Sequence, residues 1–179
     1  MANLGLQAFM LVVYDAGMLH QIRRLLDAIY SPRHLYLIHV DASSEMLVGL
    51  LDVVLKRHPN VMMAPFRFRT VWGSSQLFQI YLAGITELLR HPDWDFFINL
   101  SEADFPIAPL ATVEAELQQR GDANFLKSRA DNFNEARFVR KQGLNWTFYQ
   151  CDDHMFKVAE RNMAVFFDLG LTWTHFTRL

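Results

Sequence analysis

The chain has 179 residues, of which 51% are hydrophobic and 20% are charged, and its formal net charge is −2. This length suits one domain with its own core, and the near-neutral charge gives no reason to expect nucleic acid or an anionic membrane surface as a partner. No apolar run is long enough for a membrane span, and no signal peptide is evident. The single cysteine, Cys151, has no internal partner, which indicates a cytosolic protein or a piece of a longer one.

Strand-like and helix-like segments alternate along the first 130 residues. Short apolar runs predict strands at residues 7–14, 34–40, 60–64, 94–100 and 124–127. Apolar residues at helical spacing predict helices at residues 18–30, 46–57, 76–89, 110–119 and 152–161. Asp15 and Ser74 or Ser75 are suitable N-caps, and Gly121 follows the fourth helix. This alternation predicts an α/β domain with a mostly parallel central sheet.

The segment 94–107, WDFFINLSEADFPI, combines an aromatic strand with two carboxylates. The strand is expected in the middle of the sheet with both faces covered. Glu102 and Asp104 follow it, and ligands of open α/β sheets bind beyond the carboxyl ends of the strands. The same residues also fit a solvated turn closed by Asp and Ser side chains. The residues alone leave both interpretations open.

Two further segments carry candidate ligand contacts. Asp41 directly follows the second strand, where a carboxylate can accept a hydrogen bond from a ribose hydroxyl or can cap the next helix. In the loop Thr70–Val71–Trp72, the indole ring can stack on a base or fill the core. Arg67 and Arg69, just before this loop, can meet a phosphate or remain solvated.

Several other classes of site are excluded by missing motifs. The chain has no GxGxxG after its first strand, no P-loop and no GxSxG sequence. Its Cys and His residues lack zinc-site spacing, since His34 and His39 face opposite sides of one predicted strand. The residues therefore indicate a nucleotide-binding α/β domain, and they specify no reaction.

The same segments resemble a known glycosyltransferase family. The sequences HLYLIHVD, TVWGSSQLFQIYLAGITELL, WDFFINLSEADFPI, NFLKS, ARFVRKQGL and CDDHMF are similar to those of protein O-xylosyltransferases, which belong with the core-2 branching N-acetylglucosaminyltransferases. The resemblance covers Phe9 to Lys157. ARFVRKQGL and QCDDHM favour the xylosyltransferase branch.

The resemblance implies a GT-A-type, Rossmann-like nucleotide-sugar domain that is truncated at its C-terminus. It implies inverting transfer of xylose from UDP-xylose to a serine of proteoglycan core proteins, which starts heparan and chondroitin sulfate chains. Glu102 and Asp104 would be strand-end acids. The family does not generally depend on a metal held by such acids, so neither a metal nor a cofactor besides the donor is expected. By resemblance, the donor would be held by Val12, Val13, Asp41, Thr70, Val71 and Trp72.

The resemblance also implies that the chain is partial. Residues 7–160 are expected to form the donor-binding region, and residues 161–179 an atypical tail. The family's catalytic base, the basic pair that neutralises the diphosphate, and the partner of Cys151 are expected in a later half. Family members are Golgi membrane proteins, and their anchor is not found in this sequence. Whether the chain transfers sugar by itself is open; the alternatives are a branching N-acetylglucosaminyltransferase and a non-catalytic nucleotide- or partner-binding module.

Overall fold

A four-stranded parallel sheet forms the centre of the protein. The computed structural model describes residues 5–71, 73–91, 93–121, 123–127, 146–152, 154–160 and 172–174. The strands of the sheet are β1 (Gln7–Val13), β2 (Leu35–Val40), β3 (Val61–Met63) and β4 (Phe96–Ser101). They lie in the order β3-β2-β1-β4, and all neighbours are parallel. The predicted α/β class with a mostly parallel sheet is thus confirmed.

Helices cover both faces of this sheet. They are α1 (Leu19–Ile29), α2 (Glu45–Leu55), α3 (Ser75–Leu88) and α4 (Leu110–Arg120). Buried residues of α1, α2 and α4 pack in one cluster with one face of the sheet, and those of α3 pack in a second cluster with the other face. This arrangement explains why all seven residues of β1 are buried: a parallel strand between two helical layers is apolar throughout rather than alternating.

The N-terminal residues of the helices agree in part with the predicted caps. The Asp15 side chain accepts a hydrogen bond from the backbone N–H of Gly17 at 2.8 Å, and it caps a short 3₁₀ turn, Ala16–Met18, that leads into α1. Ser74 occupies the N-cap position of α3 but makes no side-chain hydrogen bond to the helix backbone. Gly121 follows α4 with a φ of 59°, a conformation that favours glycine.

The position of β4 differs from the prediction. In the described part of the chain β4 pairs only with β1, so it is an edge strand, and β1 lies between two neighbours. Both faces of β4 are nevertheless covered at its start, where Phe96 and Phe97 are buried in opposite clusters. An apolar run indicates that both faces of a strand are covered, but it does not indicate how many strands pair with it.

The helix predicted at residues 152–161 is wrong. Strands β6 (Trp146–Cys151) and β7 (His154–Glu160) form an antiparallel hairpin there, with Cys151 opposite His154. Asp152, which directly follows β6, has a φ of 49°, as the short turn of a hairpin often requires. Aromatic and β-branched residues in β6 supply a partner strand, and this pairing overrides the weak helical spacing of β7. The remaining described strands, β5 (Leu126–Lys127) and β8 (Thr172–Thr174), also pair antiparallel.

A buried polar network joins β2 to α4 on the amino side of the sheet. His34 Nδ1 accepts a hydrogen bond from the backbone N–H of Gln7 at 3.3 Å, so the other ring nitrogen, Nε2, carries the proton toward Glu114 Oε1 at 2.7 Å. Arg33 donates to the same carboxylate oxygen at 2.7 Å. Burial lowers the pKa of His34, against the effect of Glu114, so the ring is neutral near pH 7. This network fixes the start of two strands to one helix.

Among the described residues, no helix has both the length and the apolar character needed to cross a membrane.

Candidate functional site

The order of the strands reverses between β1 and β4. From β1 the chain proceeds to β2 and β3 on one side, and α3 then returns it to β4 on the other side of β1. The point where the strand order reverses is where open α/β sheets bind ligands, beyond the carboxyl ends of the strands. The residues that follow β1, β2 and β4, together with the loop before α3, lie at this edge and form the carboxyl-edge site.

Asp41 is buried at this edge and fully engaged by hydrogen bonds. Its Oδ1 accepts from the backbone N–H and the hydroxyl of Ser43, at 2.8 and 2.6 Å. Its Oδ2 accepts from the backbone N–H of Thr70 at 2.6 Å and from the Thr70 hydroxyl. Burial alone would raise the pKa of Asp41, but the donors of Ser43 and Thr70 outweigh it and hold the pKa below its usual value. Asp41 is therefore an ionised anchor for the loop that contains Thr70.

The structure brings some of the predicted nucleotide contacts together and not others. Asp41 and Thr70 touch directly, and Val71 follows Thr70 as a partly buried residue. Val12 and Val13 are both buried, with their side chains packed on opposite faces of the sheet, so only their backbone groups can meet a ligand. The carbonyl of Val13 already accepts from the backbone N–H of Asp41 at 2.8 Å. Trp72 lies outside the described residues.

Glu102 bridges β4 and the end of β1. Its side chain is 1% exposed, and its Oε2 accepts from the backbone N–H of Tyr14 at 2.8 Å. Its other oxygen, Oε1, is buried without a hydrogen-bond partner. Burial raises the pKa of Glu102 to about 7, against the effect of the backbone N–H groups of Tyr14 and Asp15, and the carboxylates of Asp15 and Asp41 add to the rise. Glu102 is thus a buried acid that is partly protonated near neutral pH.

Asp104 has a local role. Its Oδ2 accepts from the backbone N–H and the hydroxyl of Ser101, at 2.6 and 2.8 Å, and its own N–H donates to the Ser101 carbonyl at 3.1 Å. Asp104 is exposed. It therefore closes the turn after β4, as the solvated-turn interpretation of this segment predicted, whereas Glu102 does not fit that interpretation because it is buried.

Arg67 is not available for a phosphate in this arrangement. Its guanidinium donates to the carbonyls of Val40 and Asp41, at 3.3 and 2.8 Å, and forms an ion pair with Glu45 at 2.7 Å. The side chain thus fastens the loop before α3 to the end of β2. Arg69 is exposed and also has an interaction partner.

His39 is a site residue that sequence reasoning missed. It is fully buried at the end of β2, where its Nε2 accepts from the backbone N–H of Phe68 at 3.0 Å, and its Nδ1 has no hydrogen-bond partner. Burial lowers the pKa of His39 to about 4, against the charge of Asp41. The only signal in the sequence was a polar residue within an apolar strand, two positions before an acid. The link between Glu102 and Tyr14 gave no signal, because 88 residues separate them.

The carboxyl-edge site contains no evident metal centre. Within the described ranges, no group of three or more His, Cys, Asp or Glu residues is placed to hold a metal ion. Cys151 is exposed and unpaired at the end of β6. What the site offers is a set of backbone groups and hydroxyls held by buried carboxyl groups, a donor and acceptor set that suits the sugar and base of a nucleotide.

Comparisons with known proteins agree with this architecture. The family model described as "Core-2/I-Branching enzyme" matches residues 7–179. A protein named "Xylosyltransferase" from Ciona intestinalis is 43% identical over 156 residues, which cover 87% of this chain and 18% of that protein. Human "Xylosyltransferase 2" is 39% identical over 176 residues, or 96% of this chain and 20% of that protein. "Xylosyltransferase 1" of Pan troglodytes is 42% identical over 171 residues, or 93% and 18%.

These findings define the protein first as a Rossmann-like α/β domain of the glycosyltransferase type. The chain belongs to the Core-2/I-Branching enzyme family. The resemblance to this family, and to its xylosyltransferase branch, is confirmed, and neither the branching N-acetylglucosaminyltransferase nor the non-catalytic module is favoured. The chain spans about a fifth of the length of the curated relatives it matches.

Proposed function

We propose that this chain is the donor-binding region of a protein xylosyltransferase. The reaction would transfer xylose from UDP-xylose to a serine hydroxyl of a proteoglycan core protein, with inversion and without a metal or other cofactor. The observation that carries the proposal is identity of 39–43% to proteins named xylosyltransferase over most of the chain. Such a reaction belongs to the Golgi lumen, where UDP-sugars and secreted acceptors meet.

The geometry of the carboxyl-edge site supports this role. The strand-order reversal lies between β1 and β4, and the residues after β1, β2 and β4 converge there with the Thr70 loop. We expect the uridine and xylose to bind against backbone groups of Val12 and Val13 and against Thr70, Val71 and Trp72.

In this proposal Asp41 contributes to donor binding by holding the loop that contains Thr70. Both of its oxygens already accept two hydrogen bonds, so a further ligand donor would have to displace one of them. The Thr70 hydroxyl is the donor most easily exchanged, because a ribose hydroxyl has the same chemistry. Glu102 and Asp104 are strand-end acids in this proposal, and neither is proposed to contact the donor.

Calorimetric titration of the whole chain with UDP-xylose tests the proposal. We expect saturable binding that weakens at least tenfold in Asp41→Ala. Thr70→Val, which replaces the exchangeable hydroxyl by a methyl group and leaves the backbone hydrogen bond to Asp41, should weaken binding much less. UDP-N-acetylglucosamine is the specificity control and should bind more weakly. Asp52→Ala is the matched carboxylate control, since Asp52 is exposed on α2 in an ion pair with Lys56. A folded chain that binds neither nucleotide sugar would refute the donor-binding role.

A further inference from the structure

Glu102 occupies an unusual position for an acid. It follows β4 on the face of the sheet that is covered by α1, where Ile98 belongs to the core cluster and Leu100 packs against it. In the parallel register Val12 is paired with Ser101, so the carboxyl group of Glu102 lies beside the residues that leave β1. It is 1% exposed and one of its oxygens has no partner. A buried carboxyl group that is only half satisfied costs stability, so its presence calls for a role other than stabilising the fold.

The hydrogen bonds of Glu102 start a network that crosses the whole carboxyl edge. Glu102 accepts from the backbone N–H of Tyr14 at 2.8 Å. The carbonyl of Tyr14 accepts from the hydroxyl of Ser44, in the loop after β2. Asp41, in the same loop, donates its N–H to the carbonyl of Val13 at 2.8 Å.

The same network ends at the residues proposed to bind the donor. Asp41 holds Thr70 through two hydrogen bonds to one carboxylate oxygen. Four loops from four different parts of the chain are therefore joined in the order Glu102, Tyr14, Asp41 and Thr70. Glu102 is the terminal member, and it is the contact by which β4 holds the turn between β1 and α1.

We propose that Glu102 is a positioning residue of the donor site: its buried carboxyl group holds the turn at Tyr14 and Asp15, and through that turn it sets the positions of the Asp41 and Thr70 loops. The inference rests on the proposed binding of UDP-xylose at this edge. Glu102 itself does not touch the donor, because neither of its oxygens is accessible.

The charge of the site is consistent with this role. Asp15 and Asp41 are the two carboxylates that act on Glu102 electrostatically. A further full negative charge at this edge would oppose a diphosphate. Burial raises the pKa of Glu102 to about 7, and its carboxyl group is therefore partly neutral when the site is used near neutral pH.

Two substitutions separate positioning from general stability. Glu102→Gln keeps a carbonyl oxygen that can accept from the backbone N–H of Tyr14, whereas Glu102→Ala removes the acceptor. We expect Glu102→Ala to weaken UDP-xylose binding at least tenfold in calorimetry, and Glu102→Gln to stay within about threefold of the unsubstituted chain. Glu116→Ala is the matched control, because Glu116 is an exposed acid paired with Arg120 on α4.

Amide hydrogen exchange provides a readout that does not need the donor. Exchange at the backbone N–H of Tyr14 should accelerate at least tenfold in Glu102→Ala and not in Glu102→Gln. If the unsubstituted chain binds UDP-xylose, and a folded Glu102→Ala binds it equally well, the positioning role is overturned. Equal loss of binding in a folded Glu102→Gln would also overturn it. If the unsubstituted chain binds no UDP-xylose, the proposed function itself fails, a result distinct from these two.

Discussion

The two edges of the parallel sheet use buried polar side chains in different ways. At the amino edge, the imidazole of His34 has a partner on both ring nitrogens, and Glu114 accepts from both Arg33 and His34. The unpaired buried atom at this edge, Oε1 of Gln7, belongs to an amide that does not titrate. At the carboxyl edge, the buried side chains of Glu102 and His39 each retain an atom without a partner. The titratable side chains of the first edge are therefore fully paired, as in a structural contact, whereas Glu102 and His39 at the second edge are each only half paired.

This difference points to the carboxyl edge as the functional edge of the sheet. A fully paired network stabilises one arrangement of strands and helix and has little capacity to respond to a ligand. A half-paired buried acid or imidazole costs free energy, and such groups gather at functional sites. Substitutions at the amino edge should change stability alone, and substitutions at the carboxyl edge should change both stability and donor binding.

The largest effect is expected for Glu114→Ala at the amino edge. Removing this carboxylate leaves the buried N–H of His34 and the Arg33 guanidinium without their acceptor, so we expect the free energy of unfolding to fall by about 3 kcal/mol. Urea denaturation measures the change. Glu116→Ala, which breaks an exposed pair on the same helix, should cost less than about 0.5 kcal/mol. Loss of UDP-xylose affinity in a folded Glu114→Ala would contradict the separation of the two edges.

Glu102→Gln should change the pH dependence of stability by about 2 kcal/mol. The folded chain keeps a proton on Glu102 up to about pH 7, whereas the unfolded chain releases it near 4.5. Between these values the folded state binds more protons, so this group lowers the free energy of unfolding as the pH rises. The free energy of unfolding of Glu102→Gln, measured by urea denaturation relative to that of the unsubstituted chain, should therefore rise by about 2 kcal/mol between pH 5 and pH 8. A constant difference across this range would show that Glu102 has no raised pKa.

His39→Gln should reveal a pH dependence of the opposite sign. The pKa of His39 is lowered to about 4 from 6.5, so the unfolded chain binds a proton that the folded chain excludes between these values. This group therefore supplies stability above pH 6.5 that is lost as the pH falls toward 4. When the pH is lowered from 7 to 4.5, we expect the free energy of unfolding to fall by about 2 kcal/mol more in the unsubstituted chain than in His39→Gln. If the free energy of unfolding changes with pH by the same amount in the two chains, His39 is not a buried neutral imidazole.

The smallest effect at the carboxyl edge is expected for Asp104→Ala. Its carboxylate accepts the N–H and hydroxyl of Ser101 in an exposed turn, an arrangement comparable to a helix cap, which contributes about 1 kcal/mol. Thermal unfolding should register this loss, with Asp52→Ala as the exposed control. Donor affinity should change less than it does in Glu102→Ala, since Asp104 is outside the network that reaches Thr70. A larger loss of affinity in Asp104→Ala would reverse the roles of the two strand-end acids.

The sequence predicted the elements of the sheet well and their lateral order poorly. Apolar runs and helical spacing located the four strands of the parallel sheet and the four helices that cover it to within a few residues, because burial of one face or two faces leaves a local pattern. The position of β1 between two neighbours, and of β4 at the edge of the sheet that the described residues form, did not follow from these patterns. The hairpin of β6 and β7 was also missed, because strand pairing is a contact between segments and not a property of either one.

Within the candidate site, the sequence by itself determined which polar residues follow the strands. Asp41, Glu102 and Asp104 were all recognisable as acids at strand ends, and the family resemblance pointed to Thr70 and Val71. Only the tertiary structure decided what each of them does: Asp41 is saturated by Ser43 and Thr70, Asp104 closes its own turn, and Glu102 reaches across to Tyr14. The physical reason is that residue type sets the possible donors and acceptors, whereas burial and long-range hydrogen bonds set which of them are used and at what pKa.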